Sequence, residues 1–223
     1  MTSSAEHTPE RPDSTAAADI ADAGARRGRV RARRAAVMAV PATLVTAGLL
    51  VLTAEGALGV QFAISGMPFT VTATELKGEG FAQFGNLREM AEGSPNAGDT
   101  GGQVLTVTSV IKDATLTKLC QSVDLGGTNL IIRAGEGAKK VRATDLTTDS
   151  TQLSGDAAFK NIEIGNDASK LNKAGDLGKG PIGVFSQQSD TVRIKKLRQT
   201  NYATTAGVFK LPGLKLGFGE SGC

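Results

Sequence analysis

Histidine is the residue most often recruited for proton transfer at neutral pH, and this chain has one, His7. It stands near the N-terminus, remote from the 169 residues that follow position 54. Serine, cysteine and metal sites that rely on an imidazole are therefore not expected in that long segment. No G-x-S-x-G elbow is present. The nearest string, Gly219-Glu220-Ser221-Gly222, has the wrong spacing for a strand-to-helix nucleophile turn. Serines and lysines are plentiful, but no spacing singles out a Ser–Lys dyad. Gly217-x-Gly219-x-x-Gly222 matches the dinucleotide fingerprint in letters only, because that loop must open a helix and only Cys223 follows. Gly175-Asp176-Leu177-Gly178-Lys179-Gly180 lacks the P-loop spacing and its hydroxyl residue. Asp145, Asp149 and Asp156 are scattered singly, with no D-x-D-x-D calcium loop. The expectation is a chain with no catalytic residue, no metal ligand set and no cofactor.

Two basic concentrations remain, Lys139-Lys140-Val141-Arg142 and Lys195-Lys196-Leu197-Arg198. They read as solvated strand faces and edge-guarding lysines in preference to an anionic-ligand site. After residue 54 the chain holds eighteen Lys or Arg against seventeen Asp or Glu. That balance removes the broad basic footprint of a nucleic-acid binder. With no Trp and one Tyr, Tyr202, there are also few rings on which bases or sugars would stack.

What positions these residues begins with residues 35–54, AAVMAVPATLVTAGLLVLTA, twenty positions without a charge. As a helix this stretch reaches about 30 Å, the thickness of a bilayer's hydrocarbon core. Arg26, Arg27, Arg29, Arg31, Arg33 and Arg34 crowd immediately before it, and arginines in that position stay cytoplasmic. The reading is a cytoplasmic tail over 1–34, disordered in its first 25 residues, a signal-anchor helix over 35–54 and an extracytoplasmic segment over 55–223. A cleaved signal peptide is the alternative, with small residues at Ala54 and Gly56 and secretion after Gly56. The long apolar run and the long preceding tail weigh against it. A twin-arginine signal at Arg33-Arg34 lacks the bulkier residues that usually follow.

Beyond Phe62 the pattern becomes short alternating runs. Phe69-Thr70-Val71-Thr72-Ala73-Thr74, Leu105/Val107, Ala114/Leu116, Ile162/Ile164, Val192/Ile194 and Leu214/Leu216/Phe218 carry the period of half-buried strands. Twenty-eight glycines punctuate the chain. The expected class is all-β. Motifs recur in order: Val71-x-Ala73-Thr74-x-Leu76 with Val141-x-Ala143-Thr144-x-Leu146, and Leu116-x-Lys118-Leu119-x-Gln121 with Ile194-x-Lys196-Leu197-x-Gln199. Two similar halves, roughly 62–135 and 136–223, follow from this, arranged as a sandwich, a short solenoid or a curved open sheet. Both copies of the second motif break strict alternation by one residue at the lysine, which predicts a bulge or a strand corner there. Cys120 and Cys223 both fall outside the membrane in this topology, where one intramolecular disulfide is the economical reading. Two free thiols or an intermolecular bond are its alternatives.

Leu119-Cys120-Gln121-Ser122, Gly155-Asp156-Ala157-Ala158-Phe159-Lys160-Asn161-Ile162-Glu163-Ile164-Gly165, and Leu197-Arg198-Gln199 with Ala203-Thr204-Thr205-Ala206-Gly207-Val208-Phe209-Lys210-Leu211-Pro212-Gly213 resemble signatures of an actinobacterial family without an established function. The resemblance covers most of residues 30–223. It implies an arginine-rich N-terminus, one apolar span and an outer domain with paired cysteines. Some members carry the label cholesterol esterase, to which the residues here lend no nucleophile, base or elbow.

The function expected is a non-catalytic binding or scaffolding domain at the cell envelope. Its partners are membrane lipid through the span and an envelope membrane protein or lipid, with no nucleic acid. The alternative is a carrier of lipid or another hydrophobic ligand, with Phe62, Phe69, Phe81, Phe84, Phe159, Phe185, Phe209 and Phe218 lining a groove when they do not simply fill a core. A hydrolase ranks third.

Overall fold

The structure, a computed structural model, describes residues 63–223. His7, the arginines at 26–34, the apolar stretch 35–54 and Phe62 lie outside the described residues. Within them no helix is long and apolar enough to cross a membrane.

The strands are β1 (Phe69–Glu89), β2 (Gln103–Thr117), β3 (Leu119–Asp124), β4 (Asn129–Ala134), β5 (Val141–Lys160), β6 (Glu163–Asp167), β7 (Phe185–Thr205), β8 (Val208–Lys210) and β9 (Lys215–Gly219). One short helix, α1 (Ala97–Thr100), and two 3-10 turns, Ala168–Lys170 and Asp176–Gly178, complete the elements. The domain is all-β and every named strand pair is antiparallel.

β1 pairs with β2 on one side and β7 on the other, while β5 pairs with β2 and β7, so four long strands close into a ring. Neither the sandwich, the solenoid nor the curved open sheet expected from the pattern has that connection. Stepping around the ring from Gly85 leads to Val107, Ser150 and Asn201 and returns to β1 at Phe69. A stagger that large means steeply tilted strands.

Closure depends on corners within the strands. Lys118, Asp145 and Lys196 all take φ 52°, and Gly80 takes φ 65°. The register places Lys118 and Lys196 on the two sides of Thr74, and Gly80 and Asp145 on the two sides of Lys112. Two lines of left-handed residues thus cross the sheet. A left-handed residue rotates the strand, so the side chains after it change faces. Accordingly β1 buries Leu76 before Gly80 and Phe81 beyond it. The earlier change of faces, from Val71 and Ala73 to Leu76, falls at Thr74, which is not left-handed itself but stands level with Lys118 and Lys196. The alternation offset expected at both lysine motifs is this rotation. At Gly80 only glycine fits, because a Cβ would stand 2.6 Å from the Lys173 carbonyl oxygen.

The main core joins Val71, Leu76, Phe81, Ile111, Leu116, Leu119, Leu146, Val192, Ile194 and Leu197 from all four long strands and β3. Phe159 meets Phe81 at 5.5 Å between ring centroids. Inside the ring a cavity of about 30 Å³ remains. It suits one or two waters, in keeping with the buried Asn201 Oδ1 on its wall, which has no protein partner. On the outer side, Leu171 and Ala174 of the 168–184 segment cover Ala82, Phe84 and Val110.

An extension of β3, β4 and β9 continues from the first residues of β1. Cys120 and Cys223 form a disulfide with Cα atoms 5.9 Å apart. It draws the C-terminal tail beneath the extension, where the Cys223 amide donates to Ser122 Oγ at 2.8 Å and Arg198 donates to the Cys223 carbonyl at 2.9 Å.

Candidate functional site

Between the two lines of corners, the outward face of the sheet forms a groove of about 720 Å³. Its construction follows from register. Reading across β7, β1, β2, β5 and β8, one row consists of Arg193, Lys77, Thr115, Arg142 and Lys210. The row two residues along consists of Thr191, Glu79, Asp113, Thr144 and Val208. Strands lie about 4.8 Å apart and a two-residue step is about 7 Å, so a cationic ribbon runs beside a shorter acidic one. Between them the floor is the backbone of Gly78, Ala114 and Ala143, whose side-chain positions face the core.

Like charges directly opposite one another on neighbouring strands are destabilising. Here Lys77 faces Arg193, Arg142 faces Lys210 and Glu79 faces Asp113. One of these conflicts is relieved within the protein. Glu75, with a side chain only 17% exposed, accepts from Arg193 Nε at 2.5 Å and lies 3.6 Å from Lys77 Nζ. The hydrogen bond from Arg193 is the chief reason its carboxyl is held below the ordinary glutamate value. The Arg142–Lys210 pair has no such neutralisation: among the described residues neither cation lies within 4.0 Å of a carboxylate. The groove therefore presents an unpaired double cation at the β5–β8 end, with acids one row away.

The structure places the residues singled out in the sequence as follows. Cys120 and Cys223 come together, outside this groove. Of the two basic concentrations only Arg142 enters it. Lys195 lies on β7 between Glu75 and Asp156, in the interior of the sheet, and Lys196 forms a corner and pairs with Asp156 at 3.3 Å. That second cluster guards no edge. Lys77, Arg193 and Lys210 carry no local signal in the sequence; what unites them is a pairing pattern over more than a hundred positions. Of the phenylalanines, Phe81 and Phe84 are buried, Phe69, Phe159 and Phe209 pack against the core, and Phe185 and Phe218 are exposed. Among the described residues no group of three His, Cys, Asp or Glu is placed to hold a metal ion.

No curated protein and no solved structure matches the chain. A family model does, over residues 65–223, the whole of the ring and its extension. By that match the chain belongs to a family of unknown function (DUF6230).

Proposed function

We propose that this protein is a non-catalytic binding domain of the cell envelope, held outside the membrane by the apolar segment 35–54, and that the charged groove receives an anionic group of its ligand. The observation that carries the reading is the Arg142–Lys210 pair, two cations side by side with no carboxylate within ion-pair distance among the described residues. A phosphate or carboxylate seated between them removes the repulsion that the register imposes. The acids Glu79 and Asp113 then select against ligands with negative charge along their whole length, because such a ligand meets repulsion one row over. A surface site of this kind fits the interior of the ring, whose cavity of about 30 Å³ among the described residues is far too small for a lipid chain. The sole imidazole, His7, precedes the proposed span, in line with a role without acid–base chemistry.

The test is calorimetric titration of the full-length chain in detergent micelles with inorganic phosphate, a compact anion that reaches one row only, at low ionic strength. Saturable binding that weakens as salt is raised is expected. The R142A/K210A variant should lose at least tenfold in affinity, while E79Q/D113N should bind more tightly. Affinity unchanged in R142A/K210A, or no binding by the wild type, would overturn the reading.

A further inference from the structure

The extension formed by β3, β4 and β9 is clothed on one face only. Its polar face carries the C-terminal tail, with Gly222 packed so closely on Ser122 and Asn129 that an added Cβ would come within 2.8 Å of both. The other face is apolar and, among the described residues, uncovered. Leu216 and Phe218 of β9, 63% and 70% exposed, stand directly opposite Ile132 and Leu130 of β4. This block continues into an apolar groove of about 510 Å³ lined by Phe69, Val123, Tyr202 and Phe209. The rim of that groove is made by Ala63, Ile64 and Ser65, where the described chain begins.

We infer that this face seats in the outer surface of a phospholipid bilayer, with Leu216 and Phe218 reaching the boundary between headgroups and acyl chains. The inference rests on the proposed anchor. Eight residues, 55–62, separate Ala63 from the end of the uncharged stretch. Fully extended they span at most about 28 Å, so the groove rim is tethered within a domain's breadth of the lipid. An apolar block held this close to a membrane finds there the partner that water does not supply. Tyr202 in the groove wall suits the same boundary, where tyrosine's apolar ring and polar tip are both accommodated. The domain has other exposed apolar side chains, among them Ile182 and Phe185 at the opposite end of β7, and they serve as an internal control.

The experiment uses the full-length chain in nanodiscs of phosphatidylcholine and phosphatidylglycerol doped with a phospholipid bearing a diazirine in its acyl chain. After illumination and reduction, the tryptic peptide 216–223 should carry lipid adduct and the peptides containing Ile182 and Phe185 should not. L216T/F218T keeps strand-compatible side chains at exposed sites and should lower adduct on that peptide at least fivefold, with the adduct on 35–54 unchanged. In the wild type, bromine on the acyl chains should quench Tyr202, the only tyrosine in a chain without tryptophan, so the result does not depend on a variant. Adduct confined to 35–54 would overturn docking and leave the anchor standing. A dimer of the full-length chain in detergent micelles that L216T/F218T disperses, with no lipid adduct on 216–223 in discs, would overturn it as well. If the chain fails to enter the discs, the anchor fails. Docking is then decided by flotation with vesicles of the same lipids: flotation lost in L216T/F218T sustains it, and no flotation refutes it.

Discussion

A lysine at φ 52° bears a backbone cost that glycine would not, of about 1–2 kcal/mol. Two such lysines, Lys118 and Lys196, stand on either side of Thr74, and the ring bends between them. At Lys196 the side chain is exposed and its ion pair with Asp156 is at the surface, so the backbone dominates the outcome of substitution. Lys196→Gly should be neutral or stabilising by up to about 1 kcal/mol in urea unfolding. Lys196→Val, β-branched at a left-handed position, should cost about 2 kcal/mol despite valine's preference for strands. Equal stability of the two variants would show that the corner is not left-handed in solution. The one-residue slip in both lysine motifs was legible in the sequence, because it broke a period of two. The corner at Asp145 left the same mark, since alternation from Val141 and Ala143 would bury Asp145 and the structure buries Leu146 instead.

At the scale of elements, the segment 168–184 is the most conditional part of the fold. It covers Ala82, Phe84 and Val110, and polar contacts hold it down. Lys173 Nζ lies 3.0 Å from Glu163 and 2.9 Å from Asp190, while Gln188 Oε1 accepts from the Asn172 and Lys173 amides. Hydrogen bonds from Gln188 and then Lys173 hold the Glu163 carboxyl below its ordinary 4.5, and those from Asn161 and then Lys173 hold Asp190 below its ordinary 3.8. Lys173, bonded to both acids, is raised above 10.5. The folded acids release their protons more readily than the unfolded chain does, so their contribution is complete above the ordinary values and is lost as pH falls through the lowered ones. The lysine's contribution is complete below 10.5 and is lost only as pH rises through its raised value. Hydrogen exchange should therefore show the Gly180 amide, bonded to the Ala168 carbonyl, losing protection as pH falls below 3.8 while the Val110 amide within the ring keeps it. Simultaneous loss at both sites would mean that the segment does not open separately. None of this clamp could be anticipated from spacing, since its partners come from the turn after β5, from β6, from the covering segment and from β7.

For the molecule as a whole, alternation gave the all-β class and the compartment argument gave the pairing of Cys120 with Cys223, because both depend on residues readable in place. Ring closure was not readable. It requires β1 to find β7 across more than a hundred residues, and no local period reports which distant strands will meet. The charged groove was hidden for the same reason. Lys77 and Arg193 are unremarkable until register sets them opposite each other, and Arg142 reads as part of a basic run until Lys210 is seen beside it.

The cross-link at the extension also decides how the protein bears load. Cys223 is bonded to Cys120, and Cys120 pairs with Thr72 near the start of β1, close to where the described chain begins. If the proposed anchor holds the N-terminal side, tension between it and anything attached at the C-terminus passes through the chain up to Cys120, crosses the sulfur bridge and leaves. Residues 121–222, between the two cysteines, stay off the line of force. Of the groove, Arg142, Arg193 and Lys210 lie in the bypassed stretch, whereas Lys77, Glu79 and Asp113 precede Cys120 and stay on the line of force. In an optical trap, the fully stretched chain should lengthen by roughly 350 Å when the bridge is reduced, at about 3.4 Å per released residue. The same extension with and without reductant would show that load is carried through the whole ring.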